Sequence, residues 1–261
     1  MLLKDKNAVV YGGGGSVGGT VARAFAREGA NVFLAGRTLA RVEAVAEEIS
    51  AAGGRAEAAQ VDALDEQAVE EHIGEVAGKA ESIDILFNAI GMEDVQGTPL
   101  LDMPLEDFAH PVIVATRSQF LTARVVARRM IRQGSGVIMT IIAGPARRAV
   151  PNVGGFDTAC AAIEGLWRSL AAELGAYGVR LVVVGSAGSP ETPDVQETLK
   201  LHARATGKSF EEVLADSGTG TLLGRLPRVA EVANVATLMA SDRASAMTGV
   251  IANVTCGYIV D

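Results

Sequence analysis

Cysteine, aromatic residues and positive charge are all scarce in this sequence of 261 residues. Its two cysteines, Cys160 and Cys256, are too few for a disulfide framework. Aromatic residues make up 4% and the formal net charge is −8, so nothing in the composition attracts nucleic acid or anionic lipid. No apolar run approaches the roughly 20 residues of a membrane span, and no signal-peptide pattern opens the chain. We therefore predict a soluble cytoplasmic protein with no nucleic-acid, membrane or metal partner.

Short apolar runs alternate with stretches of helical periodicity along the whole chain, which is 49% hydrophobic and has 30 glycines. Fully apolar strands joined through helices indicate a parallel sheet covered on both faces. We predict one doubly wound α/β domain over residues 1–261, with its ligand crevice at the carboxyl ends of the strands. The predicted strands are 7–12, 31–36, 55–62, 83–91, 136–144, 179–188 and 249–257, and the predicted helices are 17–29, 38–50, 65–80, 105–132, 156–176 and 228–241.

One polar segment, residues 188–224, interrupts this alternation. It contains Pro190 and Pro193 and two short helical patterns, at 194–205 and 209–215. A long segment beside the carboxyl end of a strand is commonly a lid over a site. The alternative is a surface excursion without a role at the site.

The glycine-rich stretch VVYGGGGSVGG (9–19) joins the first predicted strand to the first helix. Glycines allow a tight turn and a close approach to a pyrophosphate, and the helix N-terminus offers unpaired N–H groups. The pattern G-x-G-x-x-G in this context predicts a dinucleotide site, although a glycine-rich turn that binds nothing is the alternative. The predicted cofactor-binding residues here are Gly12, Gly13, Gly14, Gly15, Ser16, Val17 and Gly18.

The second strand ends in Ala35-Gly36-Arg37-Thr38, with no carboxylate. An acid at this place would accept hydrogen bonds from the ribose 2′-hydroxyl of NAD, whereas arginine pairs with the 2′-phosphate of NADP. Arg37 therefore favours NADP, unless it simply lies on the surface.

In this order, the features resemble the short-chain dehydrogenase/reductase family over nearly the whole chain. YGGGGSVGG resembles the family's T-G-x-x-x-G-x-G motif, FNAIG (87–91) its N-N-A-G motif, and residues 224–258 its C-terminal region, with Thr255-Cys256 where Asp-Gly is usual. The resemblance implies a Rossmann-type fold, an NAD(P) cofactor and a homodimer or homotetramer formed through the two long helices. It also implies cofactor contacts by Asp62 (adenine), Asn88 and Thr192 (nicotinamide amide).

The catalytic positions depart from the family pattern. Its members use a serine, a Tyr-x-x-x-Lys pair and an asparagine, where the register of this chain has Ala143, Phe156, Cys160 and Ala115. No Tyr-x-x-x-Lys occurs anywhere in the sequence. Because a positioned general acid contributes roughly 10²–10⁴ in rate, carbonyl reduction by the usual residues should be severely impaired.

Other residues could supply the proton. His110, His202, Glu93 and Asp94 are candidates, whereas Asp157 is expected to face solvent or cap its helix, and Thr140 to be structural. Cys160 should line the pocket with Phe156, as a nucleophile or as a small buried residue. The apolar surroundings suit a small apolar substrate or ligand. Three functions stay open: an NADP-preferring oxidoreductase with a relocated proton donor, a non-catalytic ligand- or nucleotide-binding protein, and a non-redox enzyme on the same fold.

Overall fold

Seven parallel strands form one sheet in the computed structural model, which describes residues 1–147 and 150–260. Their order across the sheet is β3-β2-β1-β4-β5-β6-β7, and every neighbouring pair is parallel. This confirms the predicted doubly wound α/β fold. The strands are β1 (Asn7–Tyr11), β2 (Asn31–Gly36), β3 (Arg55–Gln60), β4 (Ile85–Asn88), β5 (Gly136–Ala143), β6 (Val179–Ser186) and β7 (Val250–Val254).

Helices cover both faces of the sheet because strand side chains alternate between them. In β1, Val9 and Tyr11 belong to one buried apolar cluster and Ala8 and Val10 to the other. The first cluster contains the buried faces of α3, α4 and α5, and the second those of α1, α2 and α8. The helices are α1 (Ser16–Arg27), α2 (Leu39–Ala51), α3 (Glu66–Lys79), α4 (Leu105–Gln133), α5 (Phe156–Leu174), α6 (Pro193–Thr206), α7 (Phe210–Thr219) and α8 (Val229–Ala240).

The fourth strand is shorter than the predicted 83–91, because it leaves the sheet after Asn88. The N–H of Ala89 still donates to the carbonyl of Tyr11 at 2.9 Å, and the chain then runs as the β4–α4 loop, residues 89–104. This loop begins beside the end of β1, at the point where the strand order reverses. In folds of this kind, that point is where a ligand crevice opens.

The polar segment 188–224 contains α6 and α7, which confirms its two predicted helical patterns. Gly97 of the β4–α4 loop lies against Leu201 of α6, so the segment packs on this loop. Among the described residues, no helix combines the length and apolar character needed to cross a bilayer.

Candidate functional site

Glycine is required at the turn between β1 and α1. Gly12 has a φ of +74°, and a Cβ there would lie 2.2 Å from the carbonyl oxygen of Ala89. A Cβ on Gly18 would lie 2.3 Å from the carbonyl oxygen of Gly12. The turn, the start of α1 and the β4–α4 loop are therefore packed too closely for any larger residue. Gly13 and Gly14 likewise pack against side chains of β2 and α2, at Leu34 and Arg41.

The start of α1 suits an anion. Its N-cap is Gly15, in an extended conformation, no described side chain caps it, and its first turn has no acidic residue. Gly15 is exposed and Ser16 and Val17 are partly exposed. The first-turn N–H groups and the positive end of the helix dipole therefore remain available to a pyrophosphate.

Arg37, predicted to meet a 2′-phosphate, contacts a carboxylate of its own chain. Its guanidinium forms an ion pair with Glu93 of the β4–α4 loop, and Nε2 of His110 in α4 lies 3.2 Å from the other oxygen of that carboxylate. Hydrogen bonds, first from Arg37 and then from His110, hold the pKa of Glu93 below its usual value. All three side chains are more than 40% exposed, at 61%, 43% and 51%, so water screens the cluster.

The other predicted cofactor contacts are spread around the crevice. Asp62 is exposed just after β3, and its Oδ1 accepts a hydrogen bond from the N–H of Leu64 at 2.9 Å. Thr192 is buried at the N-cap of α6, where its hydroxyl donates to the carbonyl of Ser189 at 2.8 Å. Its contact with a nicotinamide amide stays a prediction.

The Asn88 side chain is fully buried and braces the sheet against α4. Its amide donates to the hydroxyl of Thr122 at 2.9 Å, and its backbone carbonyl accepts a hydrogen bond from Thr140. Any cofactor contact of Asn88 would therefore be made through its backbone. The predicted structural role of Thr140 agrees with this bond and with its complete burial.

The four positions of the family's catalytic set form an apolar surface. Ala115 and Cys160 are buried in one apolar cluster, and Ala143 and Phe156 pack against it. Burial raises the pKa of the Cys160 thiol to about 12, with smaller effects from a backbone hydrogen bond with Ala143, which lowers it, and from nearby carboxylates. The burial of Cys160 and the raised pKa of its thiol support the interpretation as a small buried residue over that as a nucleophile. We call this surface the apolar floor.

The charges of three carboxylates, Asp157, Asp94 and Glu164, raise the pKa of Cys160. The loop that carries Asp94 approaches the start of α5, because a Cβ on Gly154 would lie 2.6 Å from the carbonyl oxygen of Val95. The prediction that Asp157 faces solvent or caps α5 is wrong. Gly155 occupies the N-cap, and Asp157 is half-buried with an Oδ1 that has no hydrogen-bond partner among the described residues. Burial raises the pKa of this carboxyl. Helical periodicity did not show that the neighbours of Asp157 cover it.

A chain of two hydrogen bonds joins α6 to Asp94 of the β4–α4 loop. Nε2 of His202 lies 2.9 Å from Oε1 of Gln96, whose Nε2 donates to Asp94 at 2.7 Å. Burial lowers the pKa of His202. The candidate proton donors therefore divide into two groups: His202 and Asp94 share this chain, whereas Glu93 and His110 meet Arg37. Gln96 was missed, since no sequence signal distinguishes it from other loop glutamines.

A further unpredicted pair lies next to the turn between β1 and α1, which we call the phosphate turn after its predicted ligand. The Tyr11 hydroxyl is 3.0 Å from Nδ1 of His72 in α3, and both residues are buried. Burial raises the pKa of Tyr11, and burial followed by the charge of Lys79 lowers the pKa of His72 to about 4. The signal was present in the sequence, because His72 falls on the same helical face as Val69 and Val76.

The Thr255-Cys256 pair, where the family resemblance implies Asp-Gly, lies in a turn after β7. Cys256 has a φ of +55°, in the left-handed region that favours glycine. The buried Thr255 hydroxyl donates to Oδ1 of Asn253 at 2.7 Å and accepts from the N–H of Ile259 at 3.1 Å. Hydrogen bonds of Thr255 therefore hold the C-terminal turn, in which a cysteine adopts a backbone conformation that favours glycine.

Comparisons with known proteins agree with this architecture. A family model described as enoyl-(acyl carrier protein) reductase matches residues 13–259. The chain is 30% identical to the oxidoreductase YxbG of Bacillus subtilis (strain 168), over 95% of this chain and 88% of that protein. It is 28% identical to 7alpha-hydroxysteroid dehydrogenase of Escherichia coli (strain K12), over 99% and 96%. The crystal structure of sorbitol-6-phosphate 2-dehydrogenase SrlD from Erwinia amylovora superposes with a TM-score of 0.92 at 29% identity, covering 97% of this chain and all of that one.

Proposed function

The chain belongs to the short-chain dehydrogenase/reductase family, and from that premise we propose that it is an NADP-preferring oxidoreductase whose proton donor lies outside the family's tyrosine position. The observation that carries the proposal is the apolar floor together with a hydrogen-bonded carboxylate, Asp94, whose neighbour Val95 lies against Gly154 just before Phe156. The floor replaces the usual catalytic set, and Asp94 offers a carboxylate oxygen from a different element.

The described residues fit the phosphate-bearing half of the cofactor. The uncapped start of α1 and the turn Gly12–Gly18 would hold the pyrophosphate, because they combine a close backbone approach with free N–H groups. Arg37 would pair with the 2′-phosphate and Asp62 would contact the adenine. At the other end, Thr192 would contact the carboxamide, while Cys160 provides no cation for the nicotinamide ribose.

The apolar floor restricts the acceptors that this site can reduce. Ala143 offers no side-chain donor to an oxyanion, and Phe156 has no proton to give. An acceptor that is already activated, such as a carbon–carbon double bond conjugated to a carbonyl, depends less on both groups. Its reduction consumes one proton and one hydride, and the bound reduced cofactor would supply the hydride. The description of the matching family model, an enoyl reductase, supports this class of acceptor.

Asp94 is our assignment for the group that delivers the proton. Gln96 holds one of its oxygens, and His202 holds Gln96 from α6, so the position of Asp94 depends on how segment 188–224 packs. We therefore propose that this segment is a lid, whose closure orders the proton donor and excludes water from the floor.

The test is consumption of NADPH by the pure protein with enones, enoyl thioesters and simple ketones. We expect turnover with the conjugated acceptors, and Asp94→Asn should lower kcat by roughly 10²-fold or more with little change in NADPH affinity. Glu173→Gln makes the same charge change on exposed surface near the C-terminal end of α5 and serves as the matched control. An unchanged kcat in Asp94→Asn would reject Asp94 as the donor.

A second candidate function is nucleotide or ligand binding without turnover. It is favoured by the same apolar floor, since Ala143, Phe156 and Cys160 all lack a polar group able to catalyse carbonyl reduction. Binding of NADPH without its consumption in the presence of any acceptor would support this candidate over the oxidoreductase.

We also propose a cytoplasmic homodimer or homotetramer that associates through α4 and α5. Support comes from large apolar side chains exposed on α4: Leu105, Ile113 and Phe120 are 72%, 59% and 43% exposed. Such side chains in one helix suit an interface between copies. Sedimentation equilibrium of the wild type and of Ile113→Asp tests this association, and a monomeric wild type would contradict it.

A further inference from the structure

We propose that Glu93 is an internal competitor for the 2′-phosphate of NADP at Arg37, and so sets how strongly the chain prefers NADP to NAD. The inference rests on the proposed function, because it concerns the same cofactor site. It identifies a specificity-determining residue in the β4–α4 loop, on the other side of β1 from the arginine.

The topology places this ion pair across the crevice. Arg37 follows β2 and Glu93 follows β4, and these two strands flank β1 in the sheet. The contact between them therefore bridges the carboxyl end of β1, next to the turn that would bind the pyrophosphate. A 2′-phosphate that reaches Arg37 must share the guanidinium with the Glu93 carboxylate or displace it.

The backbone of Glu93 is in an unusual conformation that directs the side chain to this place. Its φ of +55° lies in the left-handed region, which residues other than glycine, asparagine and aspartate seldom adopt. Asp94, the next residue, turns away and bonds to Gln96. Two consecutive carboxylates of one loop thus have different partners, Arg37 for Glu93 and Gln96 for Asp94.

Charge and exposure make the exchange feasible. A 2′-phosphate carries about −1.5 to −2 charges against the single charge of a carboxylate, and its oxygens match the planar guanidinium equally well. The pair is solvent-exposed, with Arg37 61% and Glu93 43% accessible, so water screens the attraction that must be lost. His110, 3.2 Å from the carboxylate, can retain Glu93 when Arg37 turns to the phosphate.

Removing the Glu93 charge should therefore strengthen the binding only of nucleotides that carry a 2′-phosphate. For Glu93→Gln we expect affinity for adenosine 2′,5′-bisphosphate and NADPH to rise about tenfold, because both the competition at Arg37 and the repulsion of the phosphate are relieved. Affinity for AMP and NADH, which lack the phosphate, should change less than about twofold. Arg37→Gln should abolish the preference for 2′-phosphorylated nucleotides, both alone and combined with Glu93→Gln.

The experiment is calorimetric titration of the wild type, Glu93→Gln, Arg37→Gln, the double variant and the control Glu173→Gln with these four nucleotides. A rise confined to the 2′-phosphorylated pair in Glu93→Gln confirms the inference. Equal changes for all nucleotides, no change, or weaker NADPH binding would overturn it while leaving the proposed function intact. If no variant and no wild-type protein binds any of the four, the proposed function fails as well.

Discussion

Acidification should destabilise this fold through His72, whose imidazole is buried against Tyr11 beside the phosphate turn. The fold lowers the pKa of His72 from 6.5 to about 4, chiefly by burial and secondly through the charge of Lys79. Between those two values the unfolded chain binds a proton that the folded chain does not. The free energy of unfolding is therefore highest above about pH 6.5, falls as the pH is lowered, and levels off below about pH 4.

The size of this loss follows from the two pKa values. At about 1.4 kcal/mol per pKa unit, the difference between the two pKa values corresponds to about 3 kcal/mol in the free energy of unfolding. About 2 kcal/mol of this is lost by about pH 5. That is a large part of the 5–15 kcal/mol that typically separates folded from unfolded domains. The Tyr11 hydroxyl can donate to Nδ1 of the neutral ring, so protonation also reverses the hydrogen bond at 3.0 Å.

Urea unfolding at a series of pH values measures the effect. We compare the wild type with His72→Asn, whose side-chain oxygen can replace Nδ1 as acceptor but does not titrate, and with His110→Asn as a control for an exposed histidine. The pH profile of His72→Asn should be flatter than that of the wild type by about 2 kcal/mol between about pH 7.5 and pH 5. Parallel profiles for these two proteins would refute the reasoning.

Three other substitutions or reactions test the backbone and burial. Cys256→Gly should stabilise the fold by about 1 kcal/mol, because glycine adopts the left-handed backbone conformation of this position without strain. The thermal midpoint should rise by about 2–4 °C, and a fall would contradict this prediction. In the native protein a thiol reagent should modify only the partly exposed Cys256, and fast labelling of Cys160 would show that its burial is wrong. Gly12→Ala should lower the free energy of unfolding by more than about 2 kcal/mol and abolish nucleotide binding. Gly53→Ala, at a φ of +82° in open space, should lower it by about 1 kcal/mol. Equal losses would mean that the clash with Ala89 is absent.

Much of the fold could be predicted from the sequence because it depends on local patterns. Buried strands are apolar on both faces, and helix starts follow turns, so even α6 and α7 within the polar segment 188–224 were found. The end of β4 was not, because residues 89–91 remain apolar after leaving the sheet. Where the strand ends, Ala89 packs against Gly12, and a contact between segments so far apart in the sequence leaves no local pattern.

The site was predictable only where backbone conformation determines it. Glycine patterns indicated the phosphate turn, and the family register indicated the apolar positions. The sequence does not distinguish Glu93, which has a positive φ and pairs with Arg37, from Asp94, which bonds to Gln96. Asp157 was misjudged for a related reason: helical spacing gives its angle on α5 and cannot show what covers that side of the helix.

The β4–α4 loop has a consequence for anyone who would redesign this protein. One short stretch carries Glu93, which contacts the arginine of the cofactor site, and Asp94 and Gln96, which connect to α6 through His202. With the roles that we propose for Glu93 and Asp94, cofactor choice and proton delivery are therefore not separate engineering problems in this chain. A one-residue insertion between Glu93 and Asp94 would alter both, and libraries randomised in this loop should yield variants in which the two traits change together.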